Sequence, residues 1–278
     1  MKKFFIGVGK AALYFGTYLG CQFLTSFAIC IVIALVLSLQ VQSGNMNAVE
    51  YMTTYTNLVN QSIYYILILA GILNLLIYWI VTLIRKKKFY QEVSLRKMNP
   101  VIAFPIIFGG VAFNFLMSFL MTIIPFPQAW WSSYEAKSSS LMGGGGIALW
   151  IATVIAAPVV EEIVFRGFVF SRLKTGMNKW IALIVTSFLF GCVHGTIIWG
   201  TYTFIFGAVL ILILERCKSL WACILFHMAF NVVGAASSTW PEVFESLNSI
   251  AVLAGSLVVA VACTIWFILI TKEKKETL

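Results

Sequence analysis

AAPVVEEIVFRG, residues 156–167, sets two adjacent carboxylates and an arginine inside an otherwise apolar run. Glu161, Glu162 and Arg166 are the only charges between Lys137 and Arg172. A run of that length can cross a bilayer. Charges at membrane depth are costly, and by default they mark a site. At helical spacing Glu162 and Arg166 are i,i+4 neighbours that can pair. Glu161 points about 100° away from Glu162 and stays free. The pattern reads as a supporting pair beside a reagent. On a surface helix, a structural ion pair with a spare acid would be the better reading. Inside a span, an uncompensated carboxylate must be neutralised or put to use.

The rest of the chain agrees with a membrane setting. It has 278 residues, of which 61% are hydrophobic and 10% charged. That composition excludes a soluble domain and predicts an all-α polytopic membrane protein whose first partner is the lipid bilayer. The net charge of +9 does not point to nucleic acid, because the basic residues gather at helix ends, where they orient spans. All ten acids are Glu. The six cysteines show no metal-ligand spacing and read as small buried hydrophobes. The start, MKKFFIGVGK, resembles the charged end of a signal peptide. The apolar stretch after it is too long for one, so a retained first span is expected.

Apolar runs predict a bundle of about eight transmembrane helices: 12–39, 63–84, 101–124, 147–170, 180–198, one ending at Leu214, 219–237 and 250–271. A polar loop is expected over 40–62 and a basic connector over 85–100. A second loop, 125–145, carries interfacial aromatics and leads into the glycine run Gly143 to Gly146. Eight spans put both termini on one side of the membrane. Seventeen of the 19 Lys and Arg residues then fall on that side, with Lys137 opposite and Arg166 within a span. The positive-inside rule makes both termini cytoplasmic. The chain divides into motif-free helices over 1–146, a core over 147–237, and a last span with a basic tail over 238–278. Short loops and a Lys- and Phe-rich composition suggest a bacterial cell membrane.

The only two histidines also lie in apolar runs. His194 follows Phe190 by four residues and shares its helix face. His227 and Asn231 are likewise i,i+4. Taken singly, each is ordinary polar glue between helices. Together with Glu161 they form a concentrated set in the second half of the chain. A desolvated carboxylate can act as general base toward water, and a neutral histidine can hold that water. A second histidine and an amide can donate to a developing oxyanion. That is equipment for hydrolysing a carbonyl compound such as a peptide bond. One Glu and two His, here Glu161, His194 and His227, are also a possible catalytic zinc set with an open position for water. No HExxH signature favours that alternative. On rise alone, His194 lies about 7 Å from the centre of its span, on the side away from Glu161. The fold must bring it closer.

EExxxR (Glu161, Glu162, Arg166), FxxxH (Phe190, His194) and HxxxN (His227, Asn231), in that order across successive apolar spans, resemble the three motifs of the CPBP family. These are the CAAX-protease and bacteriocin-processing intramembrane endopeptidases, also called Abi. The resemblance covers roughly 150–237. It implies an eight-span helical bundle with a catalytic cavity open toward the cytoplasmic leaflet. Glu161 would activate water, His194 would position it, and His227 and Asn231 would stabilise the oxyanion. Glu162, Arg166 and Phe190 would support the site. It further implies a membrane-associated peptide or protein as substrate and a glutamate-dependent reaction with no cofactor. The residues themselves leave a zinc ion open. Two other classes compete with a peptidase: an immunity or binding protein of the same fold, and a transporter. The transporter is disfavoured because no internal repeat is visible.

Overall fold

The computed structural model describes residues 1–142, 146–247 and 250–271. Gly143 to Gly145 of the glycine run and the tail after Thr271 lie outside them. The described residues form helices α1 (Lys2–Gln42), α2 (Ala48–Gln61), α3 (Ile63–Ile84), α4 (Phe89–Glu92), α5 (Ala103–Ile123) and α6 (Gln128–Met142). Next come α7 (Gly146–Leu173), α8 (Lys179–Cys192), α9 (Ile197–Cys217), α10 (Leu220–Thr239), α11 (Pro241–Ser246) and α12 (Ile250–Ile270). No strand occurs among the described residues. A chain in lipid must satisfy its backbone polar groups within itself, and helices do so locally.

Seven of these helices are long and apolar enough to cross a membrane. The eighth expected span is α8, whose 14 residues run for only about 21 Å. The helix ends at Cys192 because the chain turns there. Gly195 takes φ +80°, and Thr196 caps α9 by accepting the Trp199 N–H at 3.2 Å. His194 therefore sits in a turn and not within a helix. Both expected loops contain helices. α2 opens with a capping box in which Asn47 accepts from Val49 and Glu50 while the Glu50 carboxylate accepts from the Asn47 N–H. α6 follows Pro127 and lies across the end of the bundle opposite the basic loops. α1 is longer than its expected span, starting at Lys2 and running to Gln42.

The outer faces of α1 and α12 are apolar and unpacked: Leu13, Phe23, Leu35, Val258 and Leu269 are all exposed. Water would not tolerate such a surface, but lipid does. The packed interior centres on α7. On its basic side Tyr14, Tyr78 and Phe168 form an aromatic cluster, with Tyr14 stacked on Phe168 at 4.2 Å. The Tyr78 hydroxyl donates to the Tyr14 carbonyl at 2.7 Å. α5 meets α10 closely where Gly110 faces the Phe226 backbone. At the centre lie two fully buried ions. Arg166 Nη1 donates to Glu162 Oε1 at 3.0 Å, and both side chains have 0% exposure.

The basic end is tied together by Glu92, which pairs with Lys87 at 2.8 Å and with Arg172. Ser219 and Leu220, at the start of α10, bond to the carbonyls of Arg96 and Ser94. Burial alone would push the Glu92 carboxyl up. The Lys87 hydrogen bond and the Arg172 charge outweigh it and hold the group below its usual value.

Three consequences can be measured by thermal unfolding in detergent. A Cβ on Gly110 would lie 2.5 Å from the Phe226 carbonyl oxygen, whereas one on Gly255 meets nothing within 4 Å. Gly110→Ala should cost about 1–3 kcal/mol, and Gly255→Ala should be neutral. Arg166→Met strands a buried carboxylate and should cost about 3–5 kcal/mol. Because the Glu92 carboxyl is depressed by folding, its contribution is present above the unfolded value and lost as pH falls through the lower folded one. Wild type should therefore lose stability relative to Glu92→Gln only on acidification below about pH 4.

Candidate active site

The site begins with an irregularity in α7. Trp150–Ala156 and Glu162–Phe170 are π-helical, separated by an α-helical piece, Ala157–Glu161. Pro158 lies in that piece and has no N–H to give to the ladder. Wide turns of this kind recur at functional sites. The two carboxylates stand where the α-helical piece gives way to the second wide stretch.

Glu162 points into the protein and is shared. Its Oε1 accepts from Arg166 at 3.0 Å and from His227 Nδ1 at 2.8 Å. Arg166 also donates to the Gly207 carbonyl at 3.2 Å and stacks over Phe190, 4.3 Å from the ring centroid. Four helices, α7 to α10, thus meet at one ion pair. The Glu162 carboxylate can only accept, so the hydrogen in its bond with His227 is on Nδ1. That turns Nε2 toward Glu161, whose Oε2 lies 3.9 Å away.

His194 is oriented in the same manner. Its Nδ1 lies 2.7 Å from the Phe190 carbonyl oxygen, which can only accept, so Nδ1 is the donor. Its Nε2 is left with a lone pair. The close approach of Gly191 to the Gly200 backbone lets the turn fold tightly enough to hold this ring. Asn231 gives one amide hydrogen to the Thr153 carbonyl in the first π-helical stretch at 2.8 Å and keeps the other.

Glu161, His194, His227 and Asn231 all line one cavity of about 820 Å³. Phe190 also lines it, while Glu162 and Arg166 lie behind the wall. The four side chains expected to act together are therefore brought to one surface, and the expected supporting pair is placed beneath it. The sequence reading missed three things. Glu162 holds His227 as well as Arg166. Thr153 anchors Asn231. Helix α6 contributes Trp131, Tyr134 and Lys137 to the cavity. The proline before QAWWSSYEAK was the available signal for α6. Nothing in local spacing could reveal the Glu162–His227 contact, which joins residues 65 apart.

Among the described residues, no group of three His, Cys, Asp or Glu side chains is placed to hold a metal ion. His227 and His194 each donate Nδ1–H, to Glu162 and to the Phe190 carbonyl, and each keeps Nε2 on the cavity side.

Comparison with known proteins gives a concordant result for this part of the chain. Residues 143–233 match a family model described as "Type II CAAX prenyl endopeptidase Rce1-like". The chain is also similar to "Putative membrane peptidase YdiL" of Bacillus subtilis (strain 168), with 30% identity over 81 residues. That similarity covers 29% of this chain and 33% of the relative, so it spans about a third of each. No solved structure matches the chain significantly. Glu161, Glu162, Arg166, His194, His227 and Asn231 all fall within the residues that are similar to this Rce1-like family model.

Proposed function

We propose that this protein is an intramembrane endopeptidase that hydrolyses a peptide bond in a membrane-associated peptide or protein without a metal ion. The observation that carries this reading is the convergence of Glu161, His194, His227 and Asn231 on one cavity at membrane depth. A cavity of about 820 Å³ has room for several residues of extended peptide. Its apolar walls, including Phe206 and Phe230, suit a substrate that partitions into lipid.

In the proposed reaction, water rests between the Glu161 carboxylate and the free Nε2 of His194. Glu161 takes a proton as the water oxygen attacks the scissile carbonyl. The oxyanion that forms is met by the free amide hydrogen of Asn231 and by Nε2–H of His227. In this scheme His227 keeps its Nδ1–H on Glu162 and donates from Nε2 with both nitrogens carrying hydrogen. Arg166 in turn pairs with Glu162 at 3.0 Å. The proposed working form places a proton on the His227 imidazole and leaves Glu161 as carboxylate. As the C–N bond breaks, Glu161 passes the water's proton to the departing amine, and atoms and charge balance.

The test is cleavage of a membrane-inserted peptide library by purified protein in liposomes. Wild type should cleave, while Glu161→Gln and His227→Ala should each fall by at least about 100-fold. Chelator should have no effect. Cleavage by Glu161→Gln at the wild-type rate would sink the assignment. Loss with chelator and recovery with zinc would turn Glu161 and the histidines into metal ligands. A folded wild type that cleaves nothing would favour a binding or immunity protein of the same fold.

A further inference from the structure

We infer that the cavity takes its substrate from the membrane face opposite the chain's basic ends, which places its mouth outside the cytoplasm. The substrate class would then be an exported or outward-facing peptide segment. That class rests on the peptidase reading, but the sidedness does not. It departs from the cytoplasmic opening that the family resemblance implies.

The direction of each helix settles which way the cavity runs. α5, α8 and α10 lead away from the basic loops, and the cavity touches them late: Asn114 to Thr122 on α5, His194 just beyond α8, and His227 to Ser238 on α10. α3, α7 and α9 lead toward the basic loops, and the cavity touches them early: Ile63 and Leu67, Thr153 to Glu161, and Trp199 to Phe206. Glu161 and His227 form its floor near mid-membrane. α6 lies over its far end, bringing Trp131, Tyr134 and Lys137 to the rim.

The other direction is closed. Below the floor stand the fully buried Glu162–Arg166 pair and then Val164, Phe165, Phe168, Leu210 and Leu220, all at 0% exposure. Beneath those, Glu92 binds Lys87 and Arg172, and α10 is bonded to the connector through Ser219 and Leu220. A peptide coming from the basic side would have to break this packing, whereas one coming from the far side meets a cavity already formed.

Charge assigns the faces. Seventeen of 19 Lys and Arg residues lie at the closed end or in the tail beyond α12. At the open end, Lys137 stands among Glu50, Glu135, Glu242 and Glu245. Retained basic loops mark the cytoplasmic side. Aromatic side chains such as Trp131, Tyr134 and Trp199 suit the opposite interface.

Single-cysteine accessibility tests the sidedness without any catalysis. In a background with Cys30, Cys192 and Cys217 changed to Ser, Ser238→Cys and Ser138→Cys sit at the mouth, and Thr175→Cys sits in a basic loop. A membrane-impermeant maleimide should label the two mouth variants in intact cells and Thr175→Cys only after permeabilisation. The reverse pattern would overturn the inference. Detergent-extracted variants that remain monodisperse on gel filtration exclude misfolding as the cause. A second arm fuses one cleavable peptide to either side of an anchor helix. Cleavage confined to the outward-facing reporter supports the substrate class, and cleavage confined to the cytoplasmic reporter overturns it. Mouth labelling from outside with neither reporter cut would leave the sidedness standing and count against the peptidase reading.

Discussion

The buried pair of Glu162 and Arg166 is the constraint on which the rest of the site depends. Two ions at 0% exposure carry a desolvation penalty that their mutual attraction offsets only with further hydrogen bonds. The protein supplies them from the Gly207 carbonyl on α9 and His227 on α10, and the Phe190 ring on α8 adds a cation–π contact. The packing at Gly207 is tight: a Cβ there would lie 3.3 Å from the guanidinium, from the Phe190 ring and from Ser187 Cα. The pair thereby does two jobs. It fixes the mutual positions of α7 to α10, and it settles which nitrogen of His227 faces the cavity.

This division of labour explains why adjacent carboxylates differ in role. Glu162 is consumed by structure, with Arg166 and His227 both at Oε1. Glu161, one position earlier, turns to the cavity and retains a half-buried carboxylate with 15% side-chain exposure. Its nearest ionisable neighbour across the cavity is His227, with Nε2 3.9 Å from Oε2. A single residue step around the helix separates Glu162, at the ion pair, from Glu161, at the cavity.

The bundle also treats its two halves differently. Around the basic half, aromatic rings pack about Phe168, and ion pairs to Glu92 tie the connectors together. Around the other half, α8 stops after 14 residues and α6 bridges the space it leaves. Val193 and His194, in the turn that follows α8, line the cavity.

Much of this was legible in the sequence. Hydropathy determined the all-helical membrane class, because lipid leaves an apolar chain no other way to satisfy its backbone. The spans 63–84 and 250–271 agree with α3 and α12 almost to the residue. The rarity of ionisable and amide groups in apolar runs singled out Glu161, His194, His227 and Asn231 as candidates, and the structure places all four on one cavity. Tertiary structure decided the rest. A 14-residue apolar run followed by Gly and Thr was expected to be a full span, since a window of average hydropathy is blind to a turn. The tie between Glu162 and His227 joins α7 to α10, and the hydrogen bond of Asn231 to Thr153 does the same. Such contacts depend on which helices become neighbours, and local periodicity carries no information about that. The direction in which the cavity opens belongs to the same class: it is a property of packing summed over eight helices, set by where their side chains fail to meet.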